Sequence, residues 1–203
     1  MQKLGKILTL LLLLASAFWL GTVITDRQTI QSNLIRLHVI ANSDTQEDQA
    51  LKLQVRDRVL ERATELLEQS SDMLDAQVRL ENALPAIETA AQEEIFAQGY
   101  SYTVSARLEQ TEFPTKFYDG FSLPSGEYLA LRVVIGEGAG ENWWCVVYPP
   151  LCMTAATDLQ ETALTMGMCE EDISLMTEET AGYVLKFRSV ELWESFRQWL
   201  QKM

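Results

Sequence analysis

Residues 7–25 carry no charged side chain, and this stretch constrains the chain more than any other feature. Lys3 and Lys6 precede it, and Asp26 follows it directly. A positive start, an apolar core and the small residues at 15–17 are together typical of a secretory signal peptide. The stretch therefore predicts that the polypeptide after it leaves the compartment in which it is made.

The leader also sets the expected domain organisation. We predict that residues 1–25 are a signal peptide or, since 19 uncharged residues approach the roughly 20 needed to cross a bilayer, a signal anchor. A buried core helix is the remaining alternative for this stretch. Residues 26–203 are expected to form one exported domain, because about 180 residues suit a single core. The 47% of hydrophobic residues lies far above the range of disordered chains.

The chain is strongly acidic, with 29 Asp and Glu residues against 16 Lys and Arg residues and a net charge of −13. Such a charge repels nucleic acid phosphates and anionic lipid headgroups, and it favours solubility. The composition therefore argues against nucleic acid as a partner.

Periodicity in the first half predicts a strand followed by helices. Residues 34–41 alternate as a strand does, and Ser43 is the expected N-cap of the next helix, with Gln46 as its capping-box partner. A second helical stretch should be kinked or restarted at Pro85, because proline cannot donate a helical hydrogen bond. Residues 100–109 alternate most regularly and predict another strand.

The second half predicts further strands. Residues 127–135 and 142–148 flank a glycine-rich segment, a pattern that favours a β-hairpin. A last strand is expected at 183–187, followed by a helix that begins at Ser189. This order of elements predicts a single α+β domain with a mainly antiparallel sheet and helices packed on one side, preceded by the N-terminal hydrophobic export segment.

Cys145 and Cys152 are the candidate disulfide pair of this chain. Pro149 and Pro150 lie between them and turn the chain, so the two Cα atoms are able to approach to about 5.5 Å. Two ordinary buried thiols are the alternative, because free cysteine is itself a common core residue. Cys169 is left without an assigned partner.

Catalytic and metal-binding combinations are scarce. His38 is the only histidine, so a nucleophilic pair must join it to one of the three cysteines, and a zinc site must use all four residues. The cysteines lack the close spacing of zinc ligands, and we expect no catalytic residue, metal or cofactor. A basic helix face at Lys52 and Arg56 is a candidate contact for an acidic partner, although a solvated helix face is the more common explanation.

Two blocks of sequence resemble the stage II sporulation protein R family. The first runs from Ile35 to Asp44 and continues to Asp57, and the second covers 113–152, including Asn142-Trp143-Trp144-Cys145 and Pro149-Pro150-Leu151-Cys152. The order and spacing of these strings, which are dense in Trp, Cys and Pro, make the resemblance specific. The leader and the part beyond residue 155 match only loosely.

The resemblance implies a non-catalytic signalling protein of endospore formation. Members of this family are made in the forespore and exported into the space between the two membranes that separate it from the mother cell. There they are thought to activate a membrane-embedded aspartic protease, which processes the sigma-E precursor. We expect membrane contact through residues 7–25 at least transiently. The alternatives are a secreted Cys/His hydrolase and an anchored envelope structural module. The candidate partner contacts are Arg36, His38, Lys52, Arg56, Trp143 and Trp144.

Overall fold

The structure is a computed structural model that describes residues 2–118, 121–152, 163–165, 168, 170–177 and 199. The predicted strand at 183–187 and the predicted helix from Ser189 lie outside these residues. Ten helices and strands are defined in the described part: α1 Gln2–Ser32, β1 Ile35–Ile40, α2 Gln46–Leu67, α3 Met73–Ala97, β2 Val104–Phe113, β3 Lys116–Tyr118, β4 Phe121–Leu123, β5 Gly126–Ile135, β6 Asn142–Tyr148 and α4 Glu170–Thr177.

The central sheet has four strands in the order β2-β5-β1-β6. The outer pairs β2–β5 and β1–β6 are antiparallel, whereas β1 and β5 are parallel. The α+β class is therefore confirmed, and the sheet is mixed. The predicted hairpin between residues 127–135 and 142–148 is wrong, because β1 lies between β5 and β6 and takes the hydrogen bonds that a hairpin would have used.

One face of the sheet, here called the helix face, packs against α2 and α3. The odd residues of β1 contribute to this core, together with Leu131 and Val133 of β5. Leu51, Val55 and other apolar residues of α2 close it from above. The amphipathic stripe of α2 therefore lies where its spacing predicts.

The opposite face of the sheet, here called the second face, is covered by different elements. Its core joins Ile30 at the end of α1, Phe113 and Tyr128 of the sheet, Leu123 of β4 and Met176 of α4. The prediction that the helices pack on one side of the sheet is therefore wrong. The end of α1, the β3–β4 ribbon and α4 lie on the side opposite α2 and α3.

Two helix boundaries differ from the prediction. The N-cap of α2 is Thr45, whose Oγ1 accepts from the backbone N–H of Asp48, and not Ser43. α3 continues through Pro85 and does not restart there, whereas the alternative of a kink stays a prediction. Pro85 and the residue four positions before it are both exposed, so water can satisfy the carbonyl that the proline leaves without a donor. Gly99 has φ +83° and closes α3 as predicted.

β2 begins at Val104 rather than at residue 100. The N–H of Tyr100 donates to the carbonyl of Ile95 and so still belongs to the end of α3. Tyr102 is also tied to this helix, because its carbonyl accepts from the side-chain amide of Gln92.

α1 extends over 31 residues without a break at residue 25. In its first part, Ile7, Leu10, Leu14 and Phe18 expose more than half of their surface. In its last part, Ile30 is completely buried. Within the described part of the chain, no helix has the length and apolarity needed to span a bilayer.

Candidate functional site

Arg36 is completely buried on the second face. Its guanidinium carbon lies 4.0 Å from the centre of the Phe113 ring and 4.9 Å from the centre of the Tyr128 ring. Nη2 donates to the hydroxyl of Tyr118 at 2.5 Å, and that hydroxyl donates in turn to the carbonyl of Trp144. Arg36 therefore connects β1 to β2, β3 and β5 from within, and its charge is not presented on the surface.

His38 lies beside Arg36 on the same face and is 5% exposed. Its ring stacks on Trp144 with 3.9 Å between centroids and an angle of 18°. Nε2 lies 2.8 Å from Oδ1 of Asn142, which accepts the hydrogen bond, and Nδ1 is buried with no hydrogen-bond partner among the described residues. Burial lowers the pKa of His38, opposed in part by the bond to Asn142. The imidazole is therefore held neutral between aromatic rings.

This geometry predicts a pH dependence of stability. Because the pKa of His38 is lower in the folded chain than in the unfolded chain, the unfolded state takes up its proton first as the pH falls. The stability contribution is complete above the unfolded value of about 6.5 and is lost progressively below it. We expect the urea concentration at the unfolding midpoint to be lower at pH 5.5 than at pH 7.5. The His38→Gln variant should show a flatter profile, and an equal slope in both proteins would contradict the prediction.

Cys145 and Cys152 form a disulfide, with Cα atoms 5.7 Å apart. Cys145 pairs with Leu37 across β1 and β6, so it projects toward the helix face, opposite to His38. Neither cysteine is available as a nucleophile for His38 or as a zinc ligand. Cys169 lies outside the described residues, and no cluster of potential metal ligands is found in the part of the chain that the structure describes.

Lys52 is buried at the junction of α2 with the loop between β5 and β6, and only 4% of it is exposed. Nζ donates to Oε1 of Gln49 at 2.6 Å and to the carbonyl of Glu141 at 2.9 Å. Burial lowers the pKa of Lys52, although nearby carboxylates oppose the shift. The basic face that the sequence predicts on α2 is therefore incomplete, because this ammonium is used inside the fold.

The same junction contains polar residues whose roles the sequence analysis misses. Oδ2 of Asp48 accepts from Asn42 Nδ2 at 2.8 Å and from Ser43 Oγ at 2.6 Å. Burial alone raises the pKa of Asp48, but these bonds and one from Tyr102 outweigh it and lower the pKa. Asn42 also accepts from the backbone N–H of Glu137, which ties the β1–α2 loop to the β5–β6 loop.

The glycine-rich segment completes this junction. The backbone N–H of Gly140 donates to the carbonyl of Ala41, and a Cβ at Gly140 would collide with the carbonyl oxygen of Ser43. Glycine is therefore required by the close approach of two loops. The sequence feature that could have indicated this junction is the polar run directly after β1, in which Asn42 and Ser43 bond to Asp48.

Arg56 and Trp143 form the exposed part of the candidate site. The guanidinium carbon of Arg56 lies 4.2 Å from the centre of the Trp143 ring, and Nη2 lies 2.6 Å from Oδ1 of Asp57. Trp143 exposes 36% of its surface. The contact of this pair with a partner stays a prediction. Arg36, His38 and Lys52 have internal contacts instead, and Trp144 is half-buried against His38.

Comparisons with known proteins agree with the resemblance. The family model described as stage II sporulation protein R matches residues 31–158 of the chain. A curated relative, stage II sporulation protein R of Bacillus subtilis (strain 168), is 37% identical over 123 residues. That alignment covers 61% of this chain and 55% of the relative, so the chain spans little more than half the length of this relative. No solved structure matches.

Proposed function

The chain belongs to the stage II sporulation protein R family, and from this membership we propose that it is an intercompartmental signal of endospore formation. It is exported from the forespore into the intermembrane space and activates a membrane-embedded aspartic protease of the mother cell. The sigma-E precursor is then processed. The observation that carries the proposal is the family match over residues 31–158.

Two structural features support export. The disulfide between Cys145 and Cys152 suits an oxidising compartment, since disulfides are rare in the cytosol. The first part of α1 exposes apolar side chains, among them Phe18 at 76%, which an export machinery or a bilayer would cover. Residues 7–25 are the proposed membrane contact.

Binding rather than catalysis is supported by the state of the reactive groups. His38 is enclosed by Trp144 and Phe113, and the two described cysteines are bonded to each other. Neither of these cysteines is therefore free to act as a thiolate activated by His38. We propose that the chain stabilises the active conformation of the protease by binding it in preference to the inactive one.

Reconstitution with the protease tests this function. Liposomes would contain the protease in the membrane and the sigma-E precursor inside, and the full chain would be added outside. Cleavage of the precursor, followed on gels, should depend on the added chain. The His38→Gln variant should trigger cleavage within about twofold of the wild type, because a lost acid or base would instead cost about 100-fold or more.

The control for this experiment is the folded state of the variant. His38→Gln is compared with the wild type at pH 7.5, where a cooperative urea transition shows that the domain is intact. No cleavage with the wild-type chain would refute the activation of the protease. A folded His38→Gln variant without activity would refute the binding mechanism.

A further inference from the structure

The outer edge of β2 is only partly closed. The pairing of β2 with β5 keeps one register from Val104 to Phe113, so alternate residues direct their backbone groups away from β5. The outward N–H of Val104 donates to Oε1 of Gln92 at 3.1 Å, and that of Ala106 donates to Oε2 of Glu88 at 2.9 Å. Side chains of α3 therefore occupy the first half of this edge.

Among the described residues, the second half of the edge lacks such partners. By the same alternation, Leu108 and Gln110 also direct their backbone groups outward. Glu88 and Gln92 are one helical turn apart on α3, and the preceding position of this series is Leu84, whose side chain has no polar atom. Within the described residues, nothing bonds the outward N–H groups of Leu108 and Gln110. An open strand edge is a template for pairing with another strand.

A cleft of about 460 Å³ lies beside this open edge, between the end of α1 and the start of α3. Its polar lining is mostly uncharged, and Leu74 on its rim is 69% exposed. Among its lining residues are Gln28 of α1, Gln77 of α3 and Gln110 of β2. A strand added at Gln110 would direct alternate side chains toward this cleft.

Two carboxylates mark the end of the open edge. Glu112 of β2 and Glu127 of β5 are directly opposite each other in the register, and both are exposed. Neither forms an ion pair with a described residue. Like charges in this position repel each other, and a cation placed between them would relieve the repulsion. The net charge of −13 further favours a basic partner.

We propose that the open edge of β2 and the adjoining cleft bind an extended segment that carries a Lys or Arg residue, by addition of a strand to the sheet. The segment belongs to the outward-facing part of the membrane-embedded protease, an assignment that rests on the proposed function. Gln28 lies three residues after the leader, about 5 Å along α1, so the cleft is close to the proposed membrane contact.

A proline at position 110 tests the backbone pairing. Gln110→Pro removes an outward N–H and leaves the ladder with β5 intact, since proline is tolerated at such edge positions. The full chain is added to phosphatidylcholine liposomes with and without the protease, and the protease-dependent part of cosedimentation is measured. We expect the half-saturating concentration to rise about tenfold or more, whereas Gln110→Ala, which keeps the N–H, should remain close to the wild type.

A double variant tests the charge of the site, and it keeps the proposal testable if Gln110→Pro does not fold. Glu112→Gln with Glu127→Gln should weaken protease-dependent binding about threefold, and more at low salt. The matched control is Glu68→Gln with Glu137→Gln, which removes two exposed carboxylates outside the cleft and should not change binding. Equal binding of the wild type and both test variants would overturn the proposal.

The occupant is identified by a photocrosslinker placed at residue 110 of the full chain. A crosslink to the protease supports the proposal. A crosslink to a second copy of the chain, or to the carboxyl-terminal part of the same chain, overturns it. If the wild type binds the protease without triggering cleavage, the proposed activation fails, and the variants at 110, 112 and 127 still decide where the protease binds. If the wild type does not bind at all, both proposals fail.

Discussion

Replacing Arg36 by alanine is expected to lower the free energy of unfolding by about 3 to 5 kcal/mol, measured by urea denaturation at pH 7.5. The side chain is completely buried, and its removal leaves a cavity between the Phe113 and Tyr128 rings. The loss also removes the donor to Tyr118, which connects β3 to the central sheet. Both effects act on the second face.

Two controls separate volume from charge. Arg36→Met keeps most of the volume without the guanidinium, so it should cost less than half as much as alanine. Arg107→Ala removes an exposed arginine of β2 that lies on the same face of the sheet as Arg36. It should change stability by no more than about 0.5 kcal/mol. A cost for Arg36→Ala as small as that for Arg107→Ala would show that the aromatic contacts of Arg36 do not stabilise the fold.

The local elements were predictable where a single segment decides its own structure. β1, α2 and the left-handed Gly99 follow from alternation, an apolar stripe and a helix end, respectively. The order of the strands was not predictable in this way. β5 and β6 have the composition of a hairpin, but β1 pairs with both, and no local pattern distinguishes a neighbour in sequence from a neighbour in the sheet.

The candidate site shows the same limit. Alternation along β1 predicts that Arg36 and His38 share a face, but it does not show that this face is covered. The cover comes from the end of α1, which directly precedes β1, and from β3, β4 and α4, which follow much later in the chain. A basic residue on a helix is usually solvated, so Lys52 appeared as a surface charge. Its burial depends on the carbonyl of Glu141, 89 positions later.

The buried polar junction shows what tertiary contacts reveal that periodicity does not. Asn42, Ser43 and Asp48 have no regular spacing, and each is common in loops. Only the contacts explain their combination, since they satisfy one carboxylate and fix the loop of Glu137. The exposed pair Arg56 and Trp143 is different, because this contact joins α2 to β6 and still leaves part of Trp143 accessible.

Loss of the disulfide between Cys145 and Cys152 is expected to lower the free energy of unfolding by about 2.5 kcal/mol. The estimate follows from the entropy that a crosslink removes from the unfolded chain when the two joined residues are seven positions apart. Both half-cystines pack on the core of the helix face, so the bridge also fixes the chain after β6 against the sheet. The double variant Cys145→Ala, Cys152→Ala should show this loss in urea denaturation without reductant.

Reductant provides the internal control for this prediction. Dithiothreitol should destabilise the wild type by a similar amount and leave the double variant unchanged, whereas Cys169→Ala should respond to dithiothreitol as the wild type does. Equal stability of the wild type with and without reductant would contradict the contribution assigned to the bridge. Because the cytosol keeps thiols reduced, the expected difference also means that the chain reaches its full stability only in an oxidising compartment. The compartment in which it is proposed to signal is then the one in which its fold is most stable.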